Sequence, residues 1–182
     1  MTIRADATHA SGAGHVMRCM ALAEELTLRG AQVSWHGRLD VKWVSHLVAS
    51  HGWTRPRTTG NGPAQAGEVE ADLVIIDSYS STWEYQEELR CRGIFVVSIT
   101  DDFHQCFSPA DLWVNPGVAL GWNEPARGCF LDGPDYVLLR SQVRALKETR
   151  SIEPTLETGR HRVVALLGGT DFSGLSEVIP AM

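Results

Sequence analysis

The fold is decided by the stretch Met1-Thr2-Ile3-Arg4-Ala5-Asp6-Ala7-Thr8-His9-Ala10-Ser11-Gly12-Ala13-Gly14-His15-Val16-Met17-Arg18. A short strand ends in Asp6, a loop of small residues follows, and Gly12-Ala13-Gly14 opens a helix with His15 in its first turn. Free N–H groups at a helix N-terminus attract anions, and the positive end of the helix dipole disfavours an imidazolium. A neutral imidazole beside such a loop predicts a general base that acts on a nucleotide-linked substrate.

The bulk composition is that of a globular protein. At 182 residues the chain can hold one full domain and the beginning of another. Its apolar content of 43% and charged content of 21% are ordinary for a folded domain. The net charge of −6 argues against a nucleic-acid partner, because phosphate backbones are bound by basic surfaces.

The start of the chain and its cysteines predict a cytoplasmic protein. The charged residues Arg4 and Asp6 are not followed by an apolar segment of the kind that a signal peptide contains. The longest apolar runs are too short to span a membrane. The cysteines show no paired spacing, and we interpret all four as reduced thiols, with Cys19 in the core: Cys19, Cys91, Cys106 and Cys129.

Strand and helix signals alternate along the chain. We predict helices over 14–29, 41–50 and 82–92, and strands over 32–36, 72–77, 94–99 and, as a short last strand, 112–115. Gly30 is predicted to stop the first helix in a left-handed conformation. Most of the six tryptophans are predicted to pack in the core, and Trp122 alone is a candidate for stacking on a sugar. The fold class that follows is α/β: an open, mostly parallel, Rossmann-like sheet with helices on both faces.

Acids and an amide stand where the predicted strands stop. Ligands of open parallel sheets bind outside the carboxyl ends of the strands. We therefore expect a cluster beside His15 at one sheet edge, made of Asp6, Asp77, Asp102 and Asn115. The alternative for any one acid is a cap or loop role, and Ser80 or Ser81 is predicted to cap the helix after Asp77.

The domain pattern changes near residue 147. We predict a first domain over 1–146, a linker over 147–160 that contains Pro154, and the truncated start of a nucleotide-binding domain over 161–182. The buried-type strand Val163–Leu167 would lack a domain of its own to cover it. We expect it to add to the first sheet or to pair with a second copy, which would give a homodimer.

Seven motifs, in order along the chain, carry a family resemblance: Arg4-Ala5-Asp6-Ala7, Gly12-Ala13-Gly14-His15-Val16-Met17-Arg18-Cys19, Asp77-Ser78-Tyr79, Asp101-Asp102, Asn115, Tyr136-Val137-Leu138-Leu139-Arg140 and Leu167-Gly168-Gly169-Thr170-Asp171. They resemble the nucleotide-sugar hydrolases of pseudaminic acid biosynthesis and related spore-coat polysaccharide biosynthesis proteins. That family is similar to two-domain GT-B glycosyltransferases, but it transfers the glycosyl group to water.

The resemblance implies that His15 is the catalytic base, which activates water for inverting attack at the anomeric carbon with loss of UDP. It implies a sugar-side cleft and a nucleotide side, and neither a metal nor a cofactor. The predicted substrate-binding residues are Asp6, Gly12, Gly14, Arg18, Asp77, Tyr79, Asp102 and Asn115. The predicted nucleotide-binding residues are Gly168, Gly169, Thr170 and Asp171.

The chain departs from the family pattern at two places. Ser78 stands where the family places a histidine, and Pro116-Gly117 follows Asn115 where polar residues are expected. Both changes could reshape the sugar pocket, so the sugar itself is left open.

Four alternatives accompany this interpretation. In a glycosyltransferase the same histidine would deprotonate a sugar hydroxyl, and the isolated chain could be a non-catalytic binding module with weak or no affinity for UDP. A dinucleotide site is disfavoured because the third glycine of the fingerprint is missing. A metal site at Asp101, Asp102 and His104 is disfavoured because consecutive loop residues rarely point to one centre.

Overall fold

The computed structural model describes residues 1–53, 65–101, 108–118 and 128–149. Its strands are β1 (Thr2–Ala5), β2 (Ser34–Trp35), β3 (Leu73–Asp77), β4 (Phe95–Ile99), β5 (Leu112–Asn115) and β6 (Cys129–Asp132). Its helices are α1 (Gly14–Leu28), α2 (Lys42–Ser50), α3 (Trp83–Cys91) and α4 (Ser141–Thr149), with short 3-10 turns at Ala66–Glu68 and Pro134–Tyr136.

The six strands form one sheet in the order β2-β1-β3-β4-β5-β6, and every pairing is parallel. From β1 the chain moves to β2 on one side and then to β3 on the other, so the strand order reverses between β1 and β3. A crevice forms at the carboxyl ends of the strands at such a switch point. The predicted Rossmann-like parallel sheet is confirmed. Its switch point lies between the carboxyl ends of β1 and β3, and Asp6 directly follows β1.

Apolar side chains cover both faces of the sheet. Ile3 and Ile75 belong to one core with α1 and α2, whereas Val74 and Ile76 belong to a second core with Leu89 of α3. Successive residues of β3 thus enter opposite cores, and a strand buried on both faces reads as a continuous apolar run. This explains why the sequence pattern located β3 well.

The first helix begins and ends close to the predicted limits. Cys19 is fully buried on the face of α1 that packs against the sheet, which confirms its predicted core position. Gly30, just past the end of α1, has a φ of +89°, so the predicted left-handed stop is also confirmed.

The helix cap and the last strand were predicted wrongly. Thr82, not Ser80 or Ser81, caps α3, because its hydroxyl accepts the Tyr85 N–H at 3.3 Å. The strand over 112–115 is not the last one, since β6 pairs parallel to it. The residues of β6 are exposed or only partly buried, as is usual at a sheet edge, and the strand is only four residues long.

The tryptophan prediction is partly wrong. Trp35, Trp53 and Trp113 are buried as expected. Trp43 and Trp83 are 52% and 55% exposed, because each stands in the first turn of its helix, away from the cores.

Several predictions fall on residues outside the described ranges. These include Asp102, Cys106, His104, Trp122, the strand over 163–167 and the turn over 168–171. Helix α4 continues to Thr149, three residues into the predicted linker. Within the described ranges, no helix is long and apolar enough to cross a membrane.

Candidate functional site

The start of α1 and the ends of β1, β3 and β4 meet at one edge of the sheet. Ala13, the N-cap residue of α1, makes no side-chain capping bond, and the first turn contains no acidic residue. The electropositive terminus is therefore not offset by its own helix. A Cβ added at Gly14 would meet nothing within 4 Å, so the backbone is openly approachable at this point.

His15 is hydrogen-bonded to a buried carboxylate at the end of β3. Its Nδ1 lies 2.6 Å from Asp77 Oδ1, and Asp77 is only 1% exposed. A carboxylate only accepts, so the hydrogen-bond network assigns the proton to Nδ1 and leaves Nε2 unprotonated when the ring is neutral. This is the arrangement by which a carboxylate orients a histidine that takes a proton from a nucleophile.

Arg18, one helical turn after His15, binds the same carboxylate in a bidentate manner. Its Nη2 donates to Asp77 Oδ1 at 2.6 Å and its Nε donates to Oδ2. Its Nη1 donates to Asp101 Oδ2 at 3.1 Å. Burial lowers the pKa of Arg18, but the hydrogen bonds and charges of Asp77 and Asp101 outweigh burial and raise it well above its usual value.

Tyr79 packs against the imidazole from the loop after β3. The two rings meet edge to face with centroids 4.6 Å apart. The Tyr79 hydroxyl donates to Asp101 Oδ1 at 3.0 Å, while the residue is 60% exposed. Burial opposes the ionisation of Asp101, but the charge of Arg18 and the bonds from Arg18 and Tyr79 prevail and lower its pKa. Partial burial and the neighbouring Asp101 charge raise the pKa of Tyr79.

We call these five residues the His15 cluster: His15, Arg18, Asp77, Tyr79 and Asp101. Four of them were predicted as site residues, and the structure brings those four into direct contact. Asp101 is not among the predicted site residues, whereas its neighbour Asp102 is. The sequence carries a signal for it, because Asp101 is the first acid after β4.

Asp6 lies at the same edge but has other partners. Its Oδ1 accepts the Arg38 N–H at 2.7 Å, and its Oδ2 accepts the Ser78 and Ser80 hydroxyls at 2.5 and 3.1 Å. We call Asp6, Ser78 and Ser80 the Asp6 cluster. Both carboxylate oxygens of Asp6 are thus engaged by protein groups, and they tie the loops after β2 and β3 together.

Gly37 allows the loop after β2 to reach Asp6. A Cβ on this residue would lie 1.6 Å from the Ala5 carbonyl oxygen. Only glycine lets the chain pass this close to the end of β1, and the next residue, Arg38, then presents its N–H to Asp6. Ser78 stands where the hydrolase family that the motifs resemble has a histidine. Its hydroxyl donates to Asp6 and so helps to hold the loops after β2 and β3 together.

Asn115 is a local organiser of the loop after β5. Its amide group donates to the Val118 carbonyl at 3.0 Å and to Asp132 Oδ1 at 2.7 Å. Its side-chain oxygen accepts the Gly117 N–H at 3.0 Å. None of these contacts joins it to His15, and β4 lies between its strand and β3, which carries Asp77.

Gly12, another predicted site residue, belongs to the loop before α1. Gly12 has a φ of +71°, and its N–H donates to the Thr8 carbonyl at 2.9 Å. The structure thus places Gly12 in the turn that leads into α1.

Among the residues that the structure describes, no group of three or more His, Cys, Asp or Glu side chains could hold a metal ion.

Comparison with solved structures supports the fold. The structure resembles MurG of Acinetobacter baumannii with a TM-score of 0.51 and 15% sequence identity. The match covers 73% of this chain and 45% of the MurG chain, so this chain corresponds to less than half of that protein. No protein-family model matches the sequence, and no curated protein matches it either.

An identity this low shows the fold alone. The chain has a Rossmann-like α/β fold of the kind found in the N-terminal domain of GT-B proteins. The resemblance of its motifs to nucleotide-sugar hydrolases stays a prediction.

Proposed function

We propose that the whole protein transfers a glycosyl group from a nucleotide sugar to an oxygen nucleophile, with His15 as the general base. The observation that carries this proposal is the 2.6 Å contact between His15 Nδ1 and the buried Asp77 at the switch point of the sheet. It directs the basic nitrogen, Nε2, away from the carboxylate. The GT-B-like fold supplies the context, because proteins with this fold place a substrate between two domains.

The proposed reaction breaks the anomeric C–O bond to the diphosphate. The nucleophile's oxygen attacks the anomeric carbon from the opposite face, its proton passes to His15 Nε2, and the nucleoside diphosphate leaves with the bonding pair. Asp77 then stabilises the imidazolium that has formed. The uncapped start of α1 and the open backbone at Gly14 would favour an anionic group of the substrate.

Water is the nucleophile that we propose first, which makes the reaction an inverting hydrolysis of a UDP-linked amino or deoxy sugar in surface-polysaccharide or nonulosonic acid biosynthesis. The support for water is the motif resemblance described above. The second candidate is transfer to a sugar hydroxyl, which the fold shared with MurG favours equally. The role of His15 is the same in both reactions.

The test measures UDP release from a panel of UDP-sugars by the whole protein, with no acceptor added. Hydrolysis predicts that UDP appears without an acceptor, whereas a transferase would release it only when an acceptor is present. His15→Asn should reduce turnover by about 10²–10⁴-fold in either case. His46→Asn, at an exposed position of α2, is the matched control and should leave turnover unchanged. Turnover of His15→Asn close to that of the native protein would contradict the proposal.

A further inference from the structure

His15 experiences two opposing electrostatic influences. The N-terminus of α1 disfavours a positive ring, whereas Asp77 at 2.6 Å favours one. Asp77 is 1% exposed, and a buried carboxylate with no other cation beside it would draw a proton onto the imidazole. A ring that already carries both protons could not accept one from a nucleophile.

Arg18 supplies the positive charge that Asp77 needs. It contacts both carboxylate oxygens, including Oδ1, the one that accepts from His15. Its Nη2 also lies 3.3 Å from His15 Nδ1, so the charge of Arg18 would repel a positive charge on the ring. A guanidinium stays charged throughout the pH range in which proteins fold, so this balance does not depend on a proton.

The other groups around the ring do not replace Arg18. Asp101 and Tyr79 add no positive charge, and the Asp101 side chain is 43% exposed, so solvent screens it. The Cys19 thiol lies 3.5 Å from Asp77 Oδ2 and is kept neutral, since burial raises its pKa.

We propose that Arg18 is a positioning residue that balances the charge of Asp77 and thereby leaves His15 an uncharged proton acceptor. The inference rests on the proposed function, because it gives Arg18 a role toward His15 as the base. It revises the prediction that Arg18 binds substrate, since Nε, Nη1 and Nη2 each donate to a carboxylate of the protein.

The charge state of the ring is measurable without substrate. The 182-residue chain, labelled with ¹⁵N in its seven histidines, would be studied by NMR near pH 7, with His15→Asn used to assign the signals. The native ring should be neutral, with its proton on Nδ1. In Arg18→Gln we expect an imidazolium, because His15 becomes the cation nearest to Asp77. Arg29→Gln, which removes an exposed arginine that pairs with Glu25, is the matched control and should resemble the native chain.

Two further variants keep the test decisive. Arg18→Lys retains a cation beside Asp77, so its ring should stay neutral. In the double variant Arg18→Gln/Asp77→Asn the carboxylate charge is gone, and the ring should be neutral again. A neutral ring in Arg18→Gln, or a charged ring in Arg18→Lys or in the double variant, would overturn the inference.

Kinetics of the whole protein separate this role from substrate binding. Arg18→Gln should lower kcat by about tenfold or more near neutral pH, with little change in KM, and recover much of that loss at alkaline pH. A rise in KM at constant kcat would indicate a substrate contact instead. If His15→Asn stays active while the NMR results hold, the proposed function fails and the charge balance stands. If the NMR results fail while His15→Asn is inactive, the charge balance fails and the proposed function stands.

Discussion

The His15 cluster and the Asp6 cluster lie at the same sheet edge, yet their acids have different roles. Asp77 binds two side chains that can carry positive charge, whereas Asp6 binds a backbone N–H and two hydroxyls. Strand alternation explains the difference. Asp77 lies on the same face of the sheet as Ile75, beneath α1. Asp77 pairs with Ala5 of β1, so Asp6, the residue after Ala5, lies on the opposite face. Acids at neighbouring strand ends therefore need not share a role, because a difference of one residue in register places them on opposite faces of the sheet.

The largest expected effect is that of Asp77→Asn on turnover. An amide would no longer hold the proton on Nδ1, and it would leave Arg18 without its buried partner. We expect kcat to fall by about 10²–10⁴-fold, as far as but no further than in His15→Asn, because Asp77 acts through His15. Steady-state UDP release by the whole protein measures this, with circular dichroism to show that the variant is folded. The comparison is Asp6→Asn, for which we expect less than about a tenfold loss. Equal losses in the two variants would remove the distinction between the clusters.

Gly37→Ala should give the largest loss of stability. The added Cβ would lie 1.6 Å from the Ala5 carbonyl oxygen, so the end of β1 and the loop after β2 must separate. We expect a loss of about 3 kcal/mol or more in the free energy of unfolding, measured by urea denaturation. Gly14→Ala is the control, because its Cβ would meet nothing within 4 Å. A Gly37→Ala protein as stable as the control would show that this close approach is not needed.

Asp6→Ala should destabilise the protein by about 2 kcal/mol. The substitution leaves the Arg38 N–H and the hydroxyls of Ser78 and Ser80 without their shared acceptor. Chemical denaturation measures the change. If the protein is unaffected in stability but loses turnover, Asp6 contacts substrate as the sequence predicted, and the Asp6 cluster is not merely a junction between loops.

Mild acid should lower the stability of the protein through His36. His36 follows β2 and is buried, and burial lowers its pKa below the ordinary value of 6.5. The unfolded chain therefore binds a proton at a pH where folded His36 does not, so stability falls as pH drops from 6.5 toward the folded value. The slope from this one group reaches at most about 1.4 kcal/mol per pH unit.

Replacement of the titrating group tests that pH dependence. His36→Gln should flatten the profile in this window, as followed by urea denaturation at a series of pH values. His46→Gln, at an exposed site, should not change it. An unchanged slope in His36→Gln would assign the acid sensitivity to other groups.

Tyr79→Phe should have the smallest effect. The ring that packs against His15 is kept, and only the exposed bond from the hydroxyl to Asp101 is lost. We expect a change in kcat/KM of less than about fivefold, or 1 kcal/mol. A much larger loss would indicate that the hydroxyl itself contacts the reacting groups.

The sequence predicts the sheet and much of the His15 cluster for one physical reason. β3 and β4 are central strands made mostly of buried apolar residues; β3 ends in Asp77, and Asp101 follows β4 after Thr100. The edge strand β6 is short and only partly buried, and the sequence analysis does not predict it.

The partners of each acid were less predictable, because they depend on three-dimensional contacts between distant parts of the chain. Nothing near Asp6 in sequence indicates that Ser78 and Ser80 occupy one of its oxygens, since 72 residues separate it from Ser78. The motif resemblance predicts that Arg18 binds substrate, and the sequence does not show the two carboxylates that face this residue. Asn115 likewise binds its own loop, through contacts that only the fold reveals.

The central claim is that His15 and Asp77 act as one unit in proton transfer, and a double-mutant cycle tests it most directly. Turnover of UDP-sugar by the whole protein would be measured for His15→Asn, Asp77→Asn and the variant with both changes. Residues that work as a unit give strongly non-additive losses. We predict that the double variant is no slower than His15→Asn alone. Losses that multiply, as they would for two independent residues, would contradict the account.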